Sequence, residues 1–348
     1  MKLSNLNIFV GKASMPKAVL DRIRLVAFAD ANHVLGQMAY CLPEQPSGGF
    51  ADVCDNAKLR AAHDHTMLTF ELDRLERALE GSDIRAVILK GGAYVARDMK
   101  AAQGRRVSDL DILVAKEEIE AVEKLLSDAG WMPDEQTDNE YDQQYYRKHM
   151  HELPPLRHRS RGTVIDVHHA LLPPTARHKI DSKRMFEEAV KLELQNLWTL
   201  TPVDIFIHSA VHAFSDGAVD APVRTLVEHY LLFGDLSPED RSELKARAIE
   251  VGSTAPVAMA LWFIGEIFQN EEAMELSRQL RASWRHFLTK RAVMSKASDG
   301  LLSPFGKAYL YIRSHYLRMP LYLLIPHLTR KALRWRPGQE QPMELPKP

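Results

Sequence analysis

The segment Ser108-Asp109-Leu110-Asp111-Ile112-Leu113-Val114 sets two carboxylates two residues apart at the start of an apolar run. In a strand, residues two apart project from one face. Asp109 and Asp111 then stand side by side, while Leu110 and Ile112 enter the opposite, apolar layer. Adjacent carboxylates repel and are costly to bury unless a cation lies between them. Hard oxygen donors of this kind suit Mg²⁺ (or Mn²⁺), whose shell is completed by water and phosphate oxygens. Upstream, Lys90-Gly91-Gly92 closes the apolar run Ile84 to Leu89. Backbone amides at a Gly-Gly turn leading into a helix can approach a phosphate closely, because no Cβ blocks them. Lys90 adds positive charge beside that turn. A third acid stands in Val164-Ile165-Asp166-Val167-His168, where period two puts Asp166 and His168 on one face. Three carboxylates suffice for two-metal, in-line nucleotidyl transfer, with Asp166 either ligating the second metal or acting as general base toward a hydroxyl. A lone D-x-D is usually a solvated strand end and a lone lysine a surface residue; the glycine doublet and the apolar strands give these chemical meaning.

The surrounding pattern predicts the elements that must hold these residues. Residues 15–80 read as mostly helical: Leu68, Leu72, Leu75 and Leu79 form one stripe, and Gly81 stops it. The loop Cys41 to Asp52, with two prolines and a glycine pair, separates two helical stretches. Ile84 to Leu89 reads as a buried strand, Ala93 to Lys100 as a short helix, and Ser108 to Val114 as a second strand. AKEEIEAVEKLLSDAGW follows as an amphipathic helix with Gly130 past its C-cap. QQYYRKHMHEL and GTVIDVHHAL read as an antiparallel hairpin turning at RHRSRG. Beyond about residue 180 the spacing is helical throughout, in DIFIHSAVHAF, RTLVEHYLLFGDL, RSELKARAIEVG and VAMALWFIGEIF. The expected fold is α+β: a small mixed sheet with N-terminal helices and a C-terminal all-helical domain. The expected division is a helical cap over 1–80, the catalytic core over 81–175, a helical substrate or acceptor domain over 176–336, and a disordered polar, proline-rich tail over 337–348.

At this point LKGGAYVARDMK…GRRVSDLDILV…VIDVHHAL resembles the uncharacterised nucleotidyltransferase family of the polymerase-β-like superfamily, with its pattern KG…R…D-[IL]-D-x-L-V…[DE]-[LV]-H. HMHELPPL, HSAVHAF and RTLVEHYLLF resemble later segments of the same family, so the likeness covers about residues 80–330. It implies a small mixed sheet flanked by helices, then a helical substrate domain. By motif match, Gly91 and Gly92 stand at the phosphate turn, Asp109 and Asp111 at the metal pair, and Asp166 at the third acid. The superfamily's usual Gly-Ser turn is Gly-Gly here, and the gap from Gly92 to Asp109 is longer than its commonest spacing. Arg105 and Arg106 both stand where the motif has its arginine.

The remaining histidines and the basic C-terminal stretch each admit a functional and a blander reading. His208 and His212 share a helix face at i, i+4, but no Glu follows His208, so H-E-x-x-H is absent. A site with His151, His168 or His169 is the metal alternative; polar core or interface histidines are the preferred reading, with His168 weighted highest. The stretch 305–336 carries seven Lys and Arg and no acid, interleaved with tyrosines and a tryptophan. A helix on the domain with solvated charges is preferred there, with peripheral membrane or anionic contact as the alternative. There is no Walker A loop, Rossmann fingerprint or G-x-S-x-G elbow. A net charge of -1 supplies no global field toward nucleic acid or membrane. Two cysteines rule out a disulfide scaffold and fit a reducing compartment, so the expected location is cytoplasmic. No signal sequence or membrane span is expected.

The expectation is a Mg²⁺-dependent nucleotidyltransferase of the EC 2.7.7 type that moves an NMP from an NTP to a hydroxyl and releases pyrophosphate. Lys90, Gly91, Gly92, Arg105, Arg106 and His168 would bind the nucleotide; Asp109, Asp111 and Asp166 would hold metal and carry catalysis. The acceptor is left open among small molecule, peptide or protein, and RNA. Two alternatives stand beside it: a nucleotide-binding scaffold without turnover, to which the Gly-Gly turn points, and a tRNA- or RNA-modifying nucleotidyltransferase docking through 305–336.

Overall fold

The computed structural model describes residues 5–133, 151–192, 196–280, 286–298, 303–321 and 324–325. The chain begins with helices α1 (Leu6–Phe9), α2 (Val19–Ala31), α3 (Leu35–Cys41) and α4 (Gly49–Ala78). Leu68, Leu72, Leu75 and Leu79 are all buried, so the stripe on α4 faces the core as its spacing requires. Gly81 then takes a left-handed φ of 79° and ends the helical stretch. Asn7 Nδ2 donates to the Ile267 carbonyl at 3.1 Å, and Lys12 Nζ to that of Phe268. Those carbonyls close a long apolar helix of the second half and have no partner within it.

The strands are β1 (Val87–Ile88), β2 (Asp109–Leu113), β3 (Trp131–Pro133), β4 (Leu156–His158), β5 (Val164–His168), β6 (Val190–Lys191) and β7 (Trp198–Thr199). They form one mixed sheet in the order β3-β4-β5-β2-β1-β7-β6. β2 pairs parallel with β5 and antiparallel with β1, which pairs parallel with β7. The two longest strands thus lie at the centre, and each is buried beyond its first residue. Central parallel strands are covered on both faces, so an acid in one of them is held away from water. Helix α5 (Lys90–Ala96) follows β1, and α6 (Ile119–Asp128) follows β2, with Gly130 past its end at φ 102°.

The architecture is α+β with a mixed sheet and helical flanks. Four local expectations need correction. The strand expected over Ile84 to Leu89 shrinks to Val87–Ile88. The glycine doublet is no interruption, because α5 starts at Lys90 and takes Gly91 and Gly92 into its first turn. The hairpin partner of β5 is Leu156–His158 rather than the described part of QQYYRKHMHEL, where Glu152 makes only a single bridge to His168. Sheet structure also continues past residue 180, since β6 and β7 add an edge beside β1. Two-residue strands carry no readable period.

The rest is helical: α7 (Ser182–Glu187), α8 (Pro202–Val211), α9 (Pro222–Asp235), α10 (Pro238–Glu250), α11 (Thr254–Phe268), α12 (Glu271–Gln279), α13 (His286–Ser298) and α14 (Ser303–Arg318). Their starts are set locally. Ser237 Oγ accepts from the Asp240 amide at 3.0 Å and Asp240 Oδ2 from the Ser237 amide at 3.1 Å, a capping box with Pro238 at the first position. α11 is buried on nearly every side and forms the axis of this half. No helix among the described residues is long and apolar enough to cross a membrane. The tail over 337–348 and the end of the basic stretch lie outside the described residues.

Candidate active site

The register of β2 with β5 sets Asp111 opposite Asp166, Asp109 opposite Val164, and Leu113 opposite His168. Paired residues on neighbouring strands lie about 4.8 Å apart, so the acids of two strands far apart in sequence meet on one face. Asp111 is 3% exposed and Asp166 4%. Asp109, half-buried at the start of β2, accepts from the Ser108 hydroxyl at 3.4 Å. Two buried carboxylates this close need positive charge.

Lys90 and His168 supply it from either side. Lys90 Nζ donates to Asp111 Oδ1 at 2.6 Å, and His168 Nε2 lies 3.0 Å from the same oxygen. To reach it, Lys90 takes a left-handed φ of 48°, a conformation that costs a non-glycine residue about 1–2 kcal/mol. The ion pair offsets that strain. Burial would raise the Asp111 carboxyl, but Lys90 and His168 prevail and hold it well below the usual carboxylate range. Burial opposes charge on Lys90 too, yet Asp111 raises the ammonium above its ordinary value. His168 is likewise raised, because its bond to Asp111 and the charge of Glu152 outweigh desolvation. The lysine expected beside a phosphate therefore rests on a carboxylate.

The two arginines separate cleanly. The Arg105 guanidinium fills the space beside Gly91, where a Cβ would come within 2.1 Å of its Nη1. Its Nε donates to Glu228 Oε1 at 2.8 Å. Gly92 is tight on the other side, where a Cβ would lie 2.8 Å from Ile88 Cγ2. Arg106 turns away and pairs with Asp64 on α4. Only Arg105 stands at the glycines.

Several groups converge that sequence spacing did not join. Glu152 Oε2 lies 3.3 Å from His168 Nδ1, and the His151 and His168 rings are 5.4 Å apart at their centroids. Burial pushes the Glu152 carboxyl up and the His151 imidazole down to about 2. His208 is buried and is pushed down to about 3, mainly by desolvation and then by Lys90. His212, one turn on, is exposed to solvent and close enough to Lys90 and Asp111 to sense their charges. It opens a π-helical turn, His212–Asp216, that ends α8 and brings Asp216 near Glu152. The buried Asp216 Oδ1 has no hydrogen-bond partner among the described residues. HMHELPPL is the one sequence signal for Glu152, and His151 is also named with His168 and His169 as an alternative metal site; nothing in the spacing marks Asp216 or Glu228.

A cavity of about 730 Å³ opens on the cap side of the Gly104–Arg106 turn and is lined by none of Asp109, Asp111 and Asp166. Arg22, Arg60 and Arg106 line it, over an apolar wall that includes Ile23 and Phe50.

The fold is an α+β chain whose central strands oppose two buried acids beside a helix that opens on Lys90-Gly91-Gly92. The chain belongs to the uncharacterised nucleotidyltransferase family, whose model matches residues 20–269. That match begins within the N-terminal helices, earlier than the motif likeness did, and stops at the end of α11. No curated protein matches the chain. Family membership supports nucleotidyl transfer as the general class of activity.

Proposed function

We propose that the protein transfers an NMP from an NTP to a hydroxyl of its acceptor and releases pyrophosphate, using Asp109, Asp111 and Asp166. The observation that carries this reading is the opposition of Asp111 to Asp166 across parallel strands, with Asp109 on the same face. Carboxylate oxygens are the donors a hard divalent cation such as Mg²⁺ or Mn²⁺ takes. Asp109, Asp111 and Asp166 would have to draw closer round it, because among the described residues only His151, Glu152 and His168 already bring three ligand atoms within 4.8 Å of one another. When bound, that cation would supply charge neutralisation on the triphosphate. Lys90 exchanges its hold on Asp111 for a phosphate oxygen as the nucleotide arrives, while Arg105 and the amides of Gly91 and Gly92 border the phosphate chain. His168 holds Asp111 in orientation through Nε2. The acceptor hydroxyl attacks the α-phosphorus, its proton passes to the Asp166 carboxylate, and the bond from the α-phosphorus to the bridging oxygen breaks.

The cap of residues 1–80 and the helices after Pro202 enclose the core and select the acceptor. The cavity supports an acceptor with an anionic group and an apolar body, since Arg22 and Arg60 line it beside the single carboxylate Asp30, the third arginine there, Arg106, being paired with Asp64. The test incubates the protein and a cell extract with α-labelled NTPs and divalent metal, then follows label and pyrophosphate. Asp109→Asn and Asp166→Asn should each lower transfer at least about 100-fold, as loss of a group stabilising phosphoryl charge does. Transfer undiminished by both would remove the reading. A non-catalytic nucleotide-binding scaffold is favoured by one observation, the Lys90–Asp111 ion pair that neutralises a central carboxylate. NTP binding without pyrophosphate release from any extract would select it.

A further inference from the structure

His151 and Glu152 gather at the Nδ1 side of His168, which the transfer chemistry leaves unused. One ligand atom from each of the three lies within 4.8 Å of the others, with His151 and His168 buried and Glu152 half-buried. Their backbone is already fixed. Leu153 N donates to Val167 O at 2.8 Å and His169 N to His151 O at 2.9 Å, so residues 151–153 are laced onto β5. The His151 ring is 4% exposed, and its Nδ1 has no hydrogen-bond partner among the described residues. A buried imidazole nitrogen left without a partner costs stability. It is retained here beside a second imidazole and a carboxylate.

We propose that His151, Glu152 and His168 form a second metal site, taking a borderline divalent ion of the Zn²⁺ type and separate from the carboxylate pair of β2 and β5. Two imidazoles and one carboxylate are the donor set of three-ligand zinc centres, which keep a further position for water. Mg²⁺ prefers oxygen alone. The two ring nitrogens of His168 divide the work. Nδ1, 3.3 Å from Glu152 Oε2, faces the proposed ion, and Nε2 faces Asp111 Oδ1 at 3.0 Å. An ion on Nδ1 requires the proton on Nε2, so the ring becomes a fixed donor to Asp111. This is the metal–histidine–carboxylate relay that orients ligands and sets the tautomer at metal centres. His168 and the ion are then positioning groups for Asp111. The site itself does not depend on the nucleotidyltransferase reading; only its consequence for Asp111 rests on it.

The test titrates the full chain, stripped of metal, with Co²⁺ as a spectroscopic stand-in for Zn²⁺. One equivalent should produce the intense visible bands of a low-coordinate nitrogen and oxygen site, and Zn²⁺ should abolish them. Zn²⁺ at 100 times its Kd should also raise stability by about 2.7 kcal/mol. Asp109→Asn should keep the bands while losing transfer, whereas His151→Gln and Glu152→Gln should each weaken Co²⁺ binding at least tenfold. Two results overturn the proposal. One is a wild-type protein that gives only the faint spectrum of six-coordinate Co²⁺ or none. The other is bands that survive both His151→Gln and Glu152→Gln. The first does not depend on a variant folding, since the wild-type titration alone can deliver it, and bands that survive in a variant themselves show that it has folded. A wild-type protein that gives the Co²⁺ bands but transfers no nucleotide to any acceptor condemns the function and spares the site; wild-type transfer without the bands does the reverse.

Discussion

Replacing Gly91 by Ala sets two effects of opposite sign against each other. Ala in place of Gly inside a helix gains about 0.5–1 kcal/mol. Gly91 has no left-handed φ, so the new side chain meets no backbone strain. The Cβ, however, would lie 2.1 Å from Arg105 Nη1 and 2.8 Å from Cζ. The guanidinium must withdraw by more than an ångström, and it is not free to do so. Its Nε is bonded to Glu228 at 2.8 Å and Nη1 to the Arg106 carbonyl at 3.2 Å. The Arg105 and Glu228 side chains are only 13% and 9% exposed. Losing a charge-assisted bond at that depth costs about 1.5–3 kcal/mol. The expected net effect of Gly91→Ala is a loss of about 1–2 kcal/mol. Urea denaturation of Gly91→Ala, Arg105→Ala and the double variant checks it. Once Arg105 is truncated the clash disappears, so Gly91→Ala should become neutral or stabilising by about 0.5–1 kcal/mol. Glu228 keeps Arg224 at 3.7 Å in the Arg105→Ala background, which limits secondary damage. Equal costs of Gly91→Ala in the two backgrounds would refute the reasoning, because the penalty would then owe nothing to the guanidinium.

Two further expectations concern the helical half. Arg247 grips both oxygens of Asp204, at 2.9 and 2.7 Å, and Asp204 is wholly buried. Arg247→Met should therefore lower stability by about 3–5 kcal/mol by stranding a buried charge, and Asp204→Leu/Arg247→Met should recover most of it, both read from urea midpoints. His229 lies between Phe206 and Phe214, and burial pushes its imidazole down to about 4. Its folded value is below the unfolded one, so the unfolded chain binds more protons between about pH 6.5 and 4, and stability falls as pH drops through that window. His229→Phe should remove up to about 3 kcal/mol of the acid loss, seen as a shallower fall of denaturation midpoint with pH; parallel curves for the two proteins would contradict the assignment.

Much of the fold was legible because it rests on local rules. The leucine stripe of α4 and the Gly130 stop after α6 each depend on a few neighbours, and each lies where its spacing put it, while the capping box at Ser237-Pro238 that starts α10 is equally local although only the helical spacing from Arg241 onward was read. Alternation in β2 and β5 was equally local, so the facing of Asp109, Asp111, Asp166 and His168 could be read from period two. Where local patterns were too short, reading failed. Two-residue strands such as β6 and β7 show no period, and Gly91-Gly92 carries the mark of a turn although helical hydrogen bonds absorb it.

The amino-acid order alone determined which side chains share a strand face and which helices bury which stripe, because those depend on backbone periods of two and 3.6 residues. Tertiary structure decided which faces meet. Only the parallel register of β2 with β5 sets Asp111 against Asp166, and only the left-handed turn at Lys90 lays its ammonium on Asp111. Arg105 rather than Arg106 reaches the glycines because Glu228, on a helix far along the chain, holds it there. Glu152, Asp216 and His212 approach the same acids through a bridge and a π-helical turn that no spacing encodes. Contacts between distant segments are set by how apolar surfaces are jointly buried, and that sum exists only once the whole chain has folded.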